Sequence, residues 1–205
     1  MEFQGYPKMA RLSREVVITE KIDGTNAQIY IEQAVDAGLR MLPLGSLGCF
    51  TLGDQDFYVY AGSRTRWITP ENDNFGFARW VSENVKELLN LGIGRHFGEW
   101  WGGKIQRGYG LKEKRLSLFH VDHWESLLTR PDCCDRVPVL YRGDFNELAV
   151  TGALSTLSRF GSYASPGYMD PEGIVVWHTA ANIGFKKTIK DDEKPKSLDN
   201  QAKKA

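Results

Sequence analysis

Residues 16–31 read Val-Val-Ile-Thr-Glu-Lys-Ile-Asp-Gly-Thr-Asn-Ala-Gln-Ile-Tyr-Ile. Two β-prone runs, Val16 to Thr19 and Ala27 to Ile31, bracket a polar stretch from Glu20 to Asn26, so the pattern is strand, short polar turn, strand. The turn is expected to carry Lys21 and Asp23 out of a sheet. A lysine fixed beside a nucleotide can attack its α-phosphate once the amine sheds the proton that free lysine keeps to about pH 10.4. Neighbouring cations and a metal ion favour that loss.

Outward from this stretch the chain mixes strands and helices. Phe57-Tyr58-Val59-Tyr60-Ala61 is a strand that delivers Gly62-Ser63-Arg64-Thr65-Arg66, and Gly38 to Asp56 reads as a loop or hairpin before it. From Asp73 to Leu91 the apolar residues Phe77, Trp80, Val81, Val85, Leu88 and Leu89 recur at helical steps, with Asp73 or Asn74 to cap the start and Gly92 to stop it. In His96 to Gly103 a single acid, Glu99, stands among aromatics and glycines, a costly carboxylate to bury unless it meets something polar.

Lys104, Arg107, Lys112, Lys114 and Arg115 face only Glu113 in their segment, and with Tyr109 for stacking they offer a track for a nucleic-acid backbone. Leu116 to Asp122 and Val137 to Tyr141 read as strands, with a polar loop at Thr129 to Asp135 between them. A second helix is expected after Gly143-Asp144, running to about Phe160, with Leu148, Thr151, Leu154 and Leu157 on one face. Pro171 to Trp177 is a turn entering a buried strand, and Phe185 to Lys190 is a last strand. The polar tail, residues 191–205, is expected to be disordered.

The composition bounds the function. With 205 residues, 41% of them apolar, the chain is expected to build one domain over residues 1–190. Basic and acidic residues balance at 26 each, so any nucleic-acid footprint must be local. No apolar run approaches the roughly 18 residues that a membrane span needs. Three cysteines without a Cys-x-x-Cys spacing fit a reducing compartment, so the expectation is a cytoplasmic monomer. His120 and His123 have no third ligand at a matching spacing and are not read as a metal site.

Lys21-Ile22-Asp23-Gly24 resembles the nucleophile motif of the covalent nucleotidyltransferases, the DNA and RNA ligases and the capping guanylyltransferases. The longer string from Thr19 to Ala27, together with Phe97-Gly98-Glu99, resembles most the ATP-dependent RNA ligases of the RNA ligase 2-like and phage branch. Further family motifs follow in order, so that the likeness runs from about Val17 to Lys190. The resemblance implies an α+β nucleotidyltransferase (adenylation) domain, with largely antiparallel sheets flanked by helices and a nucleotide groove between them. With little sequence after Lys190, an OB or helical domain of the kind larger relatives carry is not expected.

By the same resemblance, Lys21 is the nucleophile that takes AMP from ATP, Asp23 orients it or helps to hold metal water, and Glu20 and Gly24 belong to the nucleotide-binding set. Arg64 approaches the sugar and the incoming phosphate, with Arg66 second; Glu99 meets the ribose and Phe119 stacks on the purine. Glu172 places a divalent ion, Mg²⁺ or Mn²⁺, and Lys186 neutralises the α-phosphate, with Lys187 as its alternative because the spacing departs from the family's two lysines. The implied reaction joins 5′-phosphate and 3′-hydroxyl ends, in nicked or single-stranded RNA with DNA also open, through a lysyl-AMP and an adenylylated 5′ end. An accessory protein could supply a strand-binding domain. The readings left open beside this one are a DNA-nick ligase, a capping guanylyltransferase and a non-catalytic end-binding module.

Overall fold

The computed structural model describes residues 2–35 and 42–192. Its strands, in chain order, are β1 (Glu15–Lys21), β2 (Thr25–Gln33), β3 (Gly48–Leu52), β4 (Gln55–Gly62), β5 (Trp67–Ile68), β6 (Gly94–Gly102), β7 (Lys114–Leu118), β8 (Cys134–Arg136), β9 (Val139–Asp144), β10 (Gly173–His178) and β11 (Ile183–Thr188). The α-helices are α1 (Phe77–Glu83), α2 (Val85–Leu88) and α3 (Glu147–Phe160). The expected α+β class is what forms: two sheets, antiparallel except where β7 meets β8.

The chain divides into two compact units, one made of Met1–Ile22 with Pro138–Ala205 and the other of Asp23–Val137. In the first, the sheet order is β11-β10-β1-β9. Val16 and Ile18 of β1 and Ile174 and Val176 of β10 pack with Ala153 and Leu157 of α3 into one apolar cluster. The Asn146 side chain accepts from the Ala149 amide at 2.8 Å and so caps α3, and Gly161 ends it at a φ of 80°. The core face of α3 is set by Val150, Ala153, Leu154 and Leu157. Leu148 and Thr151, expected on that face, are instead exposed, because the stripe is rotated by one position once Ala153 serves as the close contact.

In the second unit the order is β3-β4-β2-β6-β7-β8, with β5 on β4. One face carries Ala27, Ile29, Ile31, Val59, Ala61, Trp100, Leu116 and Leu118, all buried, and the helical segment covers it. That segment is not one helix: α1 breaks at Asn84, whose amide and side chain both donate to the Trp80 carbonyl, and α2 then passes into a 3-10 turn that stops at Gly92 with φ 81°. The Asp73 carboxylate accepts from the Ala78 and Arg79 amides at 2.8 and 3.1 Å, which satisfies the first turn. The loop expected at Thr129 to Asp135 ends in β8, whose parallel pairing with β7 is a nonlocal contact without a local composition signal.

The opening strand-turn-strand has an unexpected outcome. β1 pairs with β9 and β10, β2 pairs with β4 and β6, and the two strands do not pair with each other. Lys21 is the last residue of β1 and not part of the turn, which is Ile22 to Gly24. Of the reading of Gly38 to Asp56, residues 38–41 lie outside the described residues and the rest forms the β3–β4 hairpin. The expectation for the tail beyond residue 192 also lies outside them.

Candidate active site

Strand alternation decides where the first unit's polar groups point. Val16, Ile18 and Glu20 lie on the α3 side of the sheet, so Val17, Thr19 and Lys21 lie on the other. Directly opposed residues share a face, so the register Lys21–Gly173–Thr188 and Thr19–Val175–Lys186 puts Lys186 and Thr188 on the face of Lys21. Lys187, opposed to Ile174, falls on the α3 side, where its amine pairs with Asp192 at 3.1 Å. Lys190 lies beyond β11 and pairs with Asp170 at 2.7 Å. Among the described residues Lys186 has neither a hydrogen bond nor an ion pair with another side chain.

Glu172 precedes β10, is 3% exposed, and accepts from the Lys21 amine. The next residue must be glycine: a Cβ on Gly173 would lie 2.2 Å from the Lys187 carbonyl oxygen. The Glu-Gly pair therefore puts a buried carboxylate at the sheet end that carries Lys21 while letting β10 and β11 approach. Glu20, expected among the nucleotide contacts, has its side chain on the opposite face from Lys21. There it accepts from the Tyr163 and Ala164 amides at 2.8 and 2.9 Å, and burial pushes its carboxyl above the ordinary value. Its part is to hold the turn after α3 against β1.

In the second unit the turn of the Lys-x-Asp-Gly motif is clamped. The Asp23 amide donates to the Tyr109 hydroxyl at 2.8 Å, and the Asp23 carboxylate pairs with Arg107 at 3.2 Å. The Gly24 amide donates to Glu99 at 3.1 Å, and a Cβ on Gly24 would meet the Trp100 carbonyl oxygen at 2.4 Å and the Trp101 Cβ at 2.7 Å. The clamp loop holds Gln106 and Tyr109 at positive φ, 45° and 51°, a conformation that costs roughly 1–3 kcal/mol each and persists where the surroundings enforce it.

These contacts tie part of the Lys104 to Arg115 segment into the protein. Arg107 holds Asp23, Lys114 donates to the Phe75 carbonyl and Arg115 pairs with Glu113. Tyr109 is 1% exposed with its edge against Trp101, so its ring is unavailable for stacking. Arg107 and Tyr109 as clamps were not visible in the sequence, since nothing local links them to a turn more than eighty residues earlier.

The polar face of the second sheet presents the remaining candidates in rows. Glu99 opposes Asn26, Phe97 opposes Gln28, and Gln28 opposes Gly62. Phe119 follows β7 and is not in it; its amide donates to the Phe97 carbonyl at 2.9 Å just past the paired residues, and both side chains are exposed. Phe97 is thus an aromatic that sequence reading passed over, although it stands two residues from Glu99 on a strand. Arg64 is exposed at the tip of the β4–β5 connection, closed by the Ser63 amide donating to the Arg66 carbonyl at 2.9 Å. Arg66 itself donates to the Asn72 carbonyl, which leaves Arg64 as the arginine of the pair that projects.

No cluster of three or more metal-ligating side chains occurs among the described residues. A divalent ion could draw on the buried Glu172 carboxylate as a hard oxygen donor, a fit for an ion such as Mg²⁺ that keeps most of its waters and takes the rest of its shell from phosphates.

The model of the RNA ligase family matches residues 14–190. No curated protein sequence matches the chain. Solved structures of Naegleria gruberi RNA ligase mutants are similar in fold: one with ATP and Mn at TM-score 0.54 and 16% identity, covering 87% of this chain and 51% of that one. An apo mutant gives TM-score 0.53 at 16% identity over 95% and 53% of the two chains. Another with ATP and Mn gives 0.52 at 15% over 86% and 50%, so the chain spans about half the length of the structures it matches. With a family match running from the start of β1 to the end of the last strand, through Lys21, Glu99 and Glu172, the chain belongs to the RNA ligase family.

Proposed function

We propose that the protein is an ATP-dependent polynucleotide ligase that joins 5′-phosphate and 3′-hydroxyl ends of RNA, residues 1–190 acting as its adenylation domain. The observation that carries this reading is Lys21 at the end of β1 with its amine held by the buried Glu172, inside the span of the family match.

In the first step the Lys21 Nζ forms a bond to the α-phosphorus of ATP as the bond to the β-phosphate oxygen breaks and pyrophosphate leaves. The amine sheds its proton to water before it attacks, and the Glu172 carboxylate in contact with it fixes its direction. The AMP then passes to a 5′-phosphate, and a 3′-hydroxyl displaces it as the phosphodiester closes. Lys186, on the face of Lys21, would neutralise charge on the α-phosphate, and Arg64 would meet the incoming strand's phosphate. Glu99 would accept from the ribose hydroxyls, Phe119 would stack on the adenine, and Asp23 would orient Lys21. Bound Mg²⁺ or Mn²⁺, with Glu172 as its protein ligand, would supply Lewis-acid neutralisation of phosphate charge.

Free thiols at Cys49, Cys133 and Cys134 support a reducing, cytoplasmic setting, and no described helix is long and apolar enough to cross a membrane. Incubation with α-labelled ATP should leave label on the denatured protein, and Lys21→Ala should abolish it. Label from GTP instead would indicate a capping enzyme, and no label a binding module. Sealing of nicked RNA, nicked DNA and single strands then ranks the substrates and shows whether a strand-binding partner is required.

A further inference from the structure

Beyond the rows that hold Glu99 and Phe97, the same face of the second sheet continues into an aromatic cluster. Arg95, Tyr30 and Tyr60 oppose one another across β6, β2 and β4. Trp67, opposed to Gly62, lays its ring against this row: the Tyr30 and Trp67 rings stack at 6.1 Å and 26°, and Tyr60 and Trp67 lie 5.3 Å apart. The indole packs closely over Gly62, where a Cβ would come within 3.1 Å of the ring. The Arg95 guanidinium lies over both rings, 4.5 Å from the Tyr30 centroid and 5.5 Å from that of Trp67, and is the exposed layer of the stack. Glu32, the acid that touches these rings, accepts from the hydroxyls of Tyr30 and Tyr60 at 2.9 and 2.6 Å.

A guanidinium supported from below by aromatic rings keeps its outer plane for a further π-system, and its charge suits a phosphodiester backbone. The β4–β5 connection ends at Trp67, so the exposed Arg64 adds a second cation at the edge of the cluster. Four residues of β2 separate Asn26, opposite Glu99, from Tyr30, about 14 Å at about 3.4 Å per residue. The surface is therefore continuous with the proposed ribose contact and lies a few nucleotides from it.

We propose that the Arg95–Tyr30–Trp67 stack is a landing platform for the unpaired bases of a single-stranded RNA end, a base lying on the guanidinium and the backbone drawn by Arg64 and Arg95. It rests on the ligase reading for the identity of the strand, and on the geometry alone for the place. The test uses the full chain and a short, labelled, single-stranded oligoadenylate. Binding should quench tryptophan fluorescence, and Arg95→Ala should weaken it about tenfold. Arg95→Lys should keep the salt dependence of the wild type without regaining the affinity, because the charge returns and the plane does not.

ATP labelling of Lys21 in the absence of RNA should be unchanged in both variants, which also reports that they are folded. Equal affinity of wild type and Arg95→Ala would overturn the proposal, as would polyglutamate competing as well as the oligonucleotide. A wild-type protein that takes no label from ATP yet binds the oligonucleotide through Arg95 would end the ligase reading and leave the platform standing.

Discussion

Replacing Tyr109 by phenylalanine removes the hydroxyl that holds the motif's turn. The ring is 1% exposed and packs edge-on at 5.1 Å against Trp101, so the substitution keeps the volume and opens no cavity. What disappears is the hydroxyl that accepts from the Asp23 amide at 2.8 Å. A donor left without its acceptor away from water costs about 1–3 kcal/mol, which corresponds to roughly five- to hundredfold faster opening at about 1.4 kcal/mol per tenfold.

Amide exchange at Asp23, followed by NMR, should accelerate in that range, and label transfer to Lys21 should fall because Asp23 is two residues along the chain. Tyr109→Ala should be worse, by about 3–5 kcal/mol in urea unfolding, since it also empties the ring's space. Combining Tyr109→Phe with Arg107→Ala should be non-additive by about 0.5–3 kcal/mol, as both partners act on Asp23. If Tyr109→Phe left Asp23 exchange unchanged and stability within about 0.5 kcal/mol of wild type, the clamp would not be what holds the turn.

Three further outcomes follow from the geometry. Gly24→Ala places a methyl 2.4 Å from the Trp100 carbonyl oxygen and strains the amide bond to Glu99, so unfolding should show a loss of about 3 kcal/mol or more. Glu20→Gln should change the pH dependence of stability. Burial raises the native carboxyl above 4.5, so its stabilising contribution is complete below the unfolded value and is lost as pH rises through the native one; thermal midpoints of the variant should therefore gain on wild type across that rise, and parallel curves would refute it. Lys186→Ala should lower ATP labelling by about 100-fold or more, whereas Lys187→Ala, whose side chain lies on the α3 side and pairs with Asp192, should label nearly as wild type.

The α+β class, the strands on either side of the motif's turn and the capped helical segment before Gly92 were legible in the sequence because each rests on local signals. Alternation, helical spacing, cap residues and contiguous motifs all act within a few positions. The choice between Lys186 and Lys187 needed one more step, since alternation puts them on opposite faces but only the pairing with β10 and β1 shows which face is that of Lys21.

What the tertiary structure alone decided are the contacts made at long sequence separation. β1 and β2 look like two arms of one hairpin, yet hydrogen bonding sends them into different sheets, a matter of which edges are free and not of their residues. Glu20 and Lys21 are neighbours in sequence and opposite in direction, so one became a buried brace and the other the proposed nucleophile. Tyr109, Arg107 and Gly24 acquired their roles from packing around Asp23 and against β6, where close approach of backbone leaves space for glycine only and a buried amide needs a distant hydroxyl. Periodicity fixes what a segment can become; the partners it meets, and hence which polar groups remain for chemistry, depend on the free energy of the assembled core.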